Sequence, residues 1–219
     1  MTADPVPAGA PLRTRSARTA GSRALILDAA VACLVEDGYA GASTLAVQAR
    51  AGVSRGRLLH HFPSRAELLV AAAGHLSTTL LAEVEARAAA VMADQPAGPE
   101  RVDRAIDLLW ATFQEPPFWA AMELWTAART DPGLRAALRT EERRLRAAIR
   151  RVADGIWGPE VAAAPRYAEV CELLFTSMRG VACVYAFAER PAATDPHLAL
   201  WKGLAARLLV AGEGGNGQA

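Results

Sequence analysis

Arg55, Arg57 and His60 lie within two helical turns of one another, in the run Ser54-Arg55-Gly56-Arg57-Leu58-Leu59-His60-His61-Phe62. These residue types suit nucleic acid better than catalysis. A guanidinium can hold a phosphate or read a guanine edge, and an imidazole can donate to or accept from a base. Wound at about 100° per residue, the run places Leu58, His61 and Phe62 on one side. Gly56 and His60 fall on the opposite side, flanked by Arg57 and Leu59. The first side is made to pack and the second to enter a groove. Gly56 lets the backbone come close, Arg57 and His60 are expected to reach base edges, and Arg55 is expected to meet a phosphate. After Pro63 the sequence Ser64-Arg65-Ala66-Glu67 forms a capping box. Free N–H groups at that helix start, with Arg65 beside them, suit a second phosphate.

These side chains need a scaffold, and the preceding residues supply one. Ser43 or Thr44 can cap a helix that runs to Ala51. Gly52 supplies the residue that a tight turn between crossed helices requires, and Ser54 caps the helix that follows. Helix, turn and helix in this order form the unit whose second helix lies in the major groove. Thr44 and Ser54, at the two helix starts, join the residues expected to touch DNA. An enzyme has little to build on here. His60 and His61 belong to the reading helix, while His75 and His197 are isolated. The sequence has no Cys/His metal spacing, no nucleophile motif and no phosphate-binding glycine loop, so neither catalysis nor a cofactor is expected. Cys33, Cys171 and Cys183 sit in apolar helical patterns and read as small core residues.

The run AGVSRGRLLHHFPSRAELL resembles the DNA-binding domain of the TetR (tetracycline-repressor-like) transcriptional regulators. That family shows a pattern near A-G-V-S-x-G-x-L-Y-x-H-F-x-[ST]-K-x-x-L. Ala51, Gly52, Val53, Ser54, Gly56, Leu58, His61, Phe62, Ser64 and Leu68 match it. Upstream, Ile26, Leu27, Ala29 and Ala30, then Gly38 and Tyr39, resemble the family's first helix and its exit. Two positions depart. Leu59 replaces a tyrosine that contacts phosphate in the family, and Arg65 replaces a lysine. Leu59 forfeits the hydroxyl and is suited instead to a thymine methyl.

Charge is distributed to match. Residues 11–65 carry eight arginines against Asp28, Glu36 and Asp37, whereas the whole chain has a net charge of +1. A basic N-terminal third is the footprint of nucleic-acid contact. Residues 1–18, rich in Pro, Ala and Gly and ending in Arg13, Arg15 and Arg18, read as a disordered arm, either inert or reaching for extra phosphate. The DNA-binding domain is expected over 19–68, a larger helical domain over 69–211 and a flexible tail over 212–219. Helix 1 is expected over about 22–37, and the long helix from Ser64 should reach about Ala93. Further helices are expected near 100–114, 117–129, 132–156, 166–189 and 196–211, punctuated by prolines. The class is all-α. Neither a leader segment nor an apolar run of membrane-spanning length is apparent, and a cytoplasmic location is expected.

Trp110, Phe113, Phe118, Trp119, Met122 and Trp125 lie on two adjacent helices of the second domain. An aromatic stripe at helical spacing ordinarily fills a core. The resemblance adds an inducer pocket in this region, bounded by Trp110, Phe113, Met122 and Trp125 with Phe175 or Met178 opposite. Its ligand would be small and largely apolar, with an aromatic body among the candidates, and nearby Asp107 and Glu123 either face it or lie on the surface. The arginines of 132–156 read as a solvated face with pairs such as Glu142–Arg146. The last two helices are apolar around most of their circumference and need burial on two sides. The resemblance implies that they pair with a second copy as a four-helix interface, giving a homodimer suited to a palindromic operator. The expected function is a ligand-responsive repressor on double-stranded DNA. The rival is a ligand-independent regulator or activator with no pocket.

Overall fold

The computed structural model describes residues 15–93, 95–188 and 190–210, with side chains described from residue 21 onward. The parts of the expected arm and tail that fall in 1–14 and 211–219 lie outside the described residues. Among the described residues there are ten α-helices and no strand. They are α1 (Arg15–Gly41), α2 (Thr44–Ala51), α3 (Arg55–His61), α4 (Arg65–Met92), α5 (Pro99–Thr112), α6 (Pro116–Ala128), α7 (Pro132–Trp157), α8 (Pro159–Ala162), α9 (Tyr167–Val184) and α10 (His197–Leu209).

Serines start the helices of the first domain. The Ser43, Ser54 and Ser64 hydroxyls accept from the amides of Ala46, Arg57 and Glu67 at 3.1, 3.3 and 3.1 Å. Each satisfies a helix-start amide that would otherwise lack a partner. Gly52, with φ 64° and ψ 31°, closes α2 in the left-handed conformation. Its amide and that of Val53 donate back to Ala49 and Gln48, which satisfies the last carbonyls of α2. Helix α1 begins at Arg15, inside the segment expected to be an arm, and its regular part ends where expected. Gly38 adopts φ 67° and ψ −175°, which breaks the helix before a last half-turn to Gly41.

Arginines finish several of the other helices. Arg101 donates to the carbonyls of Met92 and Gln95 at the end of α4 and to those of Gly155 and Trp157 at the end of α7. Arg135 does the same at the end of α6, to Ala128 and Arg129. Exposed α7 arginines pair along their own helix, Arg146 with Glu142 at 3.4 Å as the spacing predicts. Helix α9 stops at Val184, five residues before its expected end, because residues 185–187 leave the helix as a turn. The Tyr185 hydroxyl there bonds the buried Asp195 carboxylate at 2.5 Å. Asp195 also accepts the His197 amide that opens α10. The four-residue α8 was not legible in the sequence.

Two cores result. One gathers α1, α2 and α3 with the start of α4, through Ile26, Leu34, Val47, Leu58, Phe62 and Leu68. The other joins α5, α7, α9 and α10 around Trp110, Trp157, Leu174, Met178 and Trp201. Helix α6 contributes to both: Ala120, Leu124 and Ala128 complete the first core, and Phe118 belongs to the second. Helix α4 spans both as well, from Leu68 to Met92. By length and composition α4 could cross a membrane, with an 18-residue window of mean hydropathy 1.2, although His75, Ser77, Thr78 and Thr79 interrupt its apolar residues. Its alanines and leucines serve the two cores.

Candidate functional site

Helix α3 presents the arrangement that the sequence pattern predicts. Leu58 and Phe62 are buried, and His61 is half-buried at the edge of the same face. Arg55, Gly56, Arg57, Leu59 and His60 are exposed together. Ser54 stands exposed at the head of the helix, and Thr44 is half-buried at the first turn of α2. Among the described residues, none of the acids forms an ion pair with Arg55 or Arg57. Their charge is therefore available to an anion. His61 is held below its ordinary pKa, first by burial and then by the neighbouring His60, Arg23 and Arg57 charges.

Arg65 is placed differently from a free phosphate ligand. Its guanidinium lies 4.1 Å over the Tyr39 ring. Nε donates to the Ala42 carbonyl at 2.9 Å, and one Nη donates to the Tyr39 carbonyl. Arg65 thus ties the corner between α1 and α2 to the start of α4, leaving its remaining N–H donors for any phosphate. The Tyr39 hydroxyl bonds Asp131 at 3.2 Å. Asp131 caps α7 through the Leu134 amide, which holds its carboxyl below the usual range.

The same corner meets α6. The Tyr39 amide donates to Glu123 Oε2 at 2.8 Å. Glu123 therefore faces the exit of α1 and does not line the cavity described below. Asp107, the other acid considered for a ligand, pairs with Lys202 of α10 at 2.7 Å.

On its other side α6 borders a cavity of about 140 Å³. Met122 and Trp125 of α6, Phe113 just past α5 and Phe175 of α9 line it, four of the six residues expected around an inducer. Trp110 and Met178 do not. Trp110 packs behind the cavity against Trp201, Tyr185 and Phe113, and its Nε1 donates to the Ala192 carbonyl at 2.8 Å. Met178 is fully buried in the core. Periodicity marks all six as inward-facing but does not say which inward neighbour each one meets. Sequence reasoning missed two further walls, Leu80, Leu81 and Val84 of α4 and Leu145, Ile149 and Val152 of α7. The apolar stripe of α7 was overlooked beside its arginines. It also missed Arg179, the only charged lining residue, whose signal was a lone cation in an apolar helix. No group of His, Cys, Asp and Glu suited to a metal occurs among the described residues.

Residues 26–72 match the family of bacterial regulatory proteins described as the tetR family. The chain is 29% identical over 170 residues to the HTH-type transcriptional regulator CymR of Pseudomonas putida, covering 78% of this chain and 82% of that one. It is 34% identical over 112 residues to the HTH-type transcriptional repressor AcnR of Corynebacterium diphtheriae, covering 50% of this chain and 52% of that one. Among solved structures it is similar to the multidrug binding protein EbrR complexed with ethidium, with a TM-score of 0.54 and 23% identity, covering 85% of this chain and 97% of that one. These relatives are transcriptional regulators and binding proteins, not enzymes.

Proposed function

We propose that this chain belongs to the tetR family of bacterial regulatory proteins and is a cytoplasmic homodimeric repressor that releases a palindromic operator when a small molecule enters the cavity between α4, α5, α6, α7 and α9. The observation that carries this reading is the double role of α6. Met122 and Trp125 line the cavity, while Glu123, between them on the same helix, holds the Tyr39 amide at the exit of α1. A ligand that moves α6 moves that contact. Helix α4 supplies a second connection, because Leu80, Leu81 and Val84 line the cavity and its first turn is bonded to the corner by Arg65.

At the DNA, Arg57 and His60 read base edges and Leu59 meets a thymine methyl. Arg55 and the helix starts at Thr44 and Ser54 hold phosphates. Arg65 works chiefly as a positioning residue that fixes the start of α4 against the corner. Two reading helices must be spaced for successive major grooves, roughly 34–36 Å apart, and a twofold dimer does this. Outward-facing Leu173 of α9 and Leu200 of α10, at 52% and 67% exposed, supply an apolar surface for the second copy. Phe187, just past α9, is 82% exposed. Such side chains gain most when covered by an identical surface. Met178, an inward residue, has no part in that contact.

Release requires that the ligand bind the low-affinity state better, since equal affinity for both states shifts nothing. EbrR is named for binding ethidium and multiple drugs, which agrees with a ligand-accepting cavity in this fold. The test is selection of operator DNA by the purified protein, followed by titration of the selected site by fluorescence anisotropy. A twofold-symmetric site bound by two protomers is the expected result. Selection of an asymmetric or unrelated set of sequences would refute it.

A further inference from the structure

We infer that the cavity takes a small apolar monoanion, a carboxylate on a single ring or a short branched chain, with Arg179 holding the carboxylate and the apolar body lying among Phe113, Met122, Trp125 and Phe175. This rests on the reading of the cavity as the ligand site. The cavity lining is apolar apart from Ser77, Thr112 and Arg179. The Thr112 hydroxyl is already committed to the Leu109 carbonyl at 2.7 Å, and Ser77 is a buried neutral group on α4. No aspartate or glutamate lines the cavity. Arg179 is therefore the sole charge that a bound molecule meets.

The state of Arg179 is the second observation. Its guanidinium carbon lies 4.7 Å from the centroid of the Trp125 ring. Among the described residues it makes no ion pair with a carboxylate. By contrast Arg65, Arg101 and Arg135 each donate to backbone carbonyls. Arg179 is half-buried with an aromatic face as its counterpart. Contact of the guanidinium with the Trp125 face uses none of its N–H donors, which are suited to bind a carboxylate through two parallel hydrogen bonds. A cation in this position disfavours an ammonium ligand.

Size narrows the class. A cavity near 150 Å³ lined by apolar side chains holds a benzene-sized molecule, and this one is about 140 Å³. Phe175 and Arg179 stand one turn apart on α9, so a ring against Phe175 and Trp125 carries its carboxylate to Arg179 without spanning the cavity.

The experiment uses the full-length protein and follows tryptophan fluorescence, with calorimetry for affinities. The probes are benzoate, 4-methylbenzoate and 4-methylpentanoate against benzamide, 4-methylbenzamide and 4-methylpentanamide. The acids should bind roughly tenfold to hundredfold more tightly than their amides, the range for a hydrogen bond to a charged group. Arg179→Gln should reduce that ratio to near one, with the amide affinities as the internal reference, and Arg179→Lys should restore part of it. Amides that bind as well as acids, or a ratio that survives Arg179→Gln, would overturn the charge assignment while leaving the cavity as a ligand site. Binding by none of the six would overturn both.

Discussion

Gly38→Ala should destabilise the protein far more than Gly52→Ala, although both glycines have positive φ. Gly52 lies in the ordinary left-handed region, and a Cβ added there meets nothing within 4 Å. Its replacement costs about 1–2 kcal/mol of backbone strain. Gly38 combines φ 67° with ψ −175°, a region essentially reserved for glycine, where strain runs about 1–3 kcal/mol. Its added Cβ would also stand 3.1 Å from Glu123 Oε2, so the carboxylate must shift and loosen its 2.8 Å bond to the Tyr39 amide. Hydrogen bonds to charged groups contribute about 1.5–3 kcal/mol, and the low end applies at this exposed site. Together these give a cost of about 2–4 kcal/mol, a large share of a total stability of about 5–15 kcal/mol. The assay is urea unfolding at fixed protomer concentration, because a dimer's stability depends on concentration. In the double variant with Glu123→Ala the cost should fall short of the sum of the singles by about 1 kcal/mol, as contacting residues do. If Gly38→Ala and Gly52→Ala agree within about 0.5 kcal/mol, or Glu123 shows no coupling, the tight contact between α6 and the α1 exit is not what the geometry indicates.

Other outcomes follow from the same structure. Arg57→Ala should cost about 1–3 kcal/mol of operator affinity and relax preference at one base step, measured by titrating operator variants. Arg55→Ala should weaken all sequences alike and reduce the salt slope by about one. Leu200→Glu, and separately Leu173→Glu, should give a folded monomer with much weaker operator binding, read by sedimentation alongside circular dichroism. Because burial and neighbouring cations lower the His61 pKa from 6.5, the unfolded chain takes up this proton more readily than the folded one. Its contribution to stability is complete above about pH 6.5 and is lost as pH falls through the folded value, so His61→Gln should flatten the acid limb of a melting-temperature profile below about pH 6.5.

The first domain was legible because local chemistry specifies it. Each of its short helices is opened by a serine that can only cap, and Gly52 closes the turn at a position where any other residue is strained. Side-chain direction at the domain junction was not legible. Arg65 and Glu123 are ordinary charged residues in sequence, and only the fold places one over Tyr39 and the other against the Tyr39 amide. The cavity was half legible for a related reason. Periodicity told which side chains point inward, yet Trp110 reaches a carbonyl near α10 while Phe113, one turn later, borders open space. Contacts between elements distant in sequence decide such cases, and a periodic pattern carries no record of them.

The dimensions of α6 explain why a small ligand can have a large effect on the proposed reading. A hydrogen bond of 2.8 Å weakens substantially beyond about 3.2 Å, so the contact between Glu123 and the α1 exit tolerates only about half an ångström of movement. The cavity, at about 140 Å³, accepts a benzene-sized body without rearrangement. Anything larger, or any group that draws Arg179 away from Trp125, must displace a wall. Helix α7 is anchored at its end by Arg101, and α9 is held to α10 through Trp201 and Ser177 at 3.0 Å. Helix α6 is bounded by prolines at its start and by the Arg129-Thr130 turn at its end, where Arg135 holds its last carbonyls, and on the proposed reading its inner face is what the ligand touches. On the proposed reading α6 is the wall whose movement reaches the Tyr39 amide directly, through Glu123.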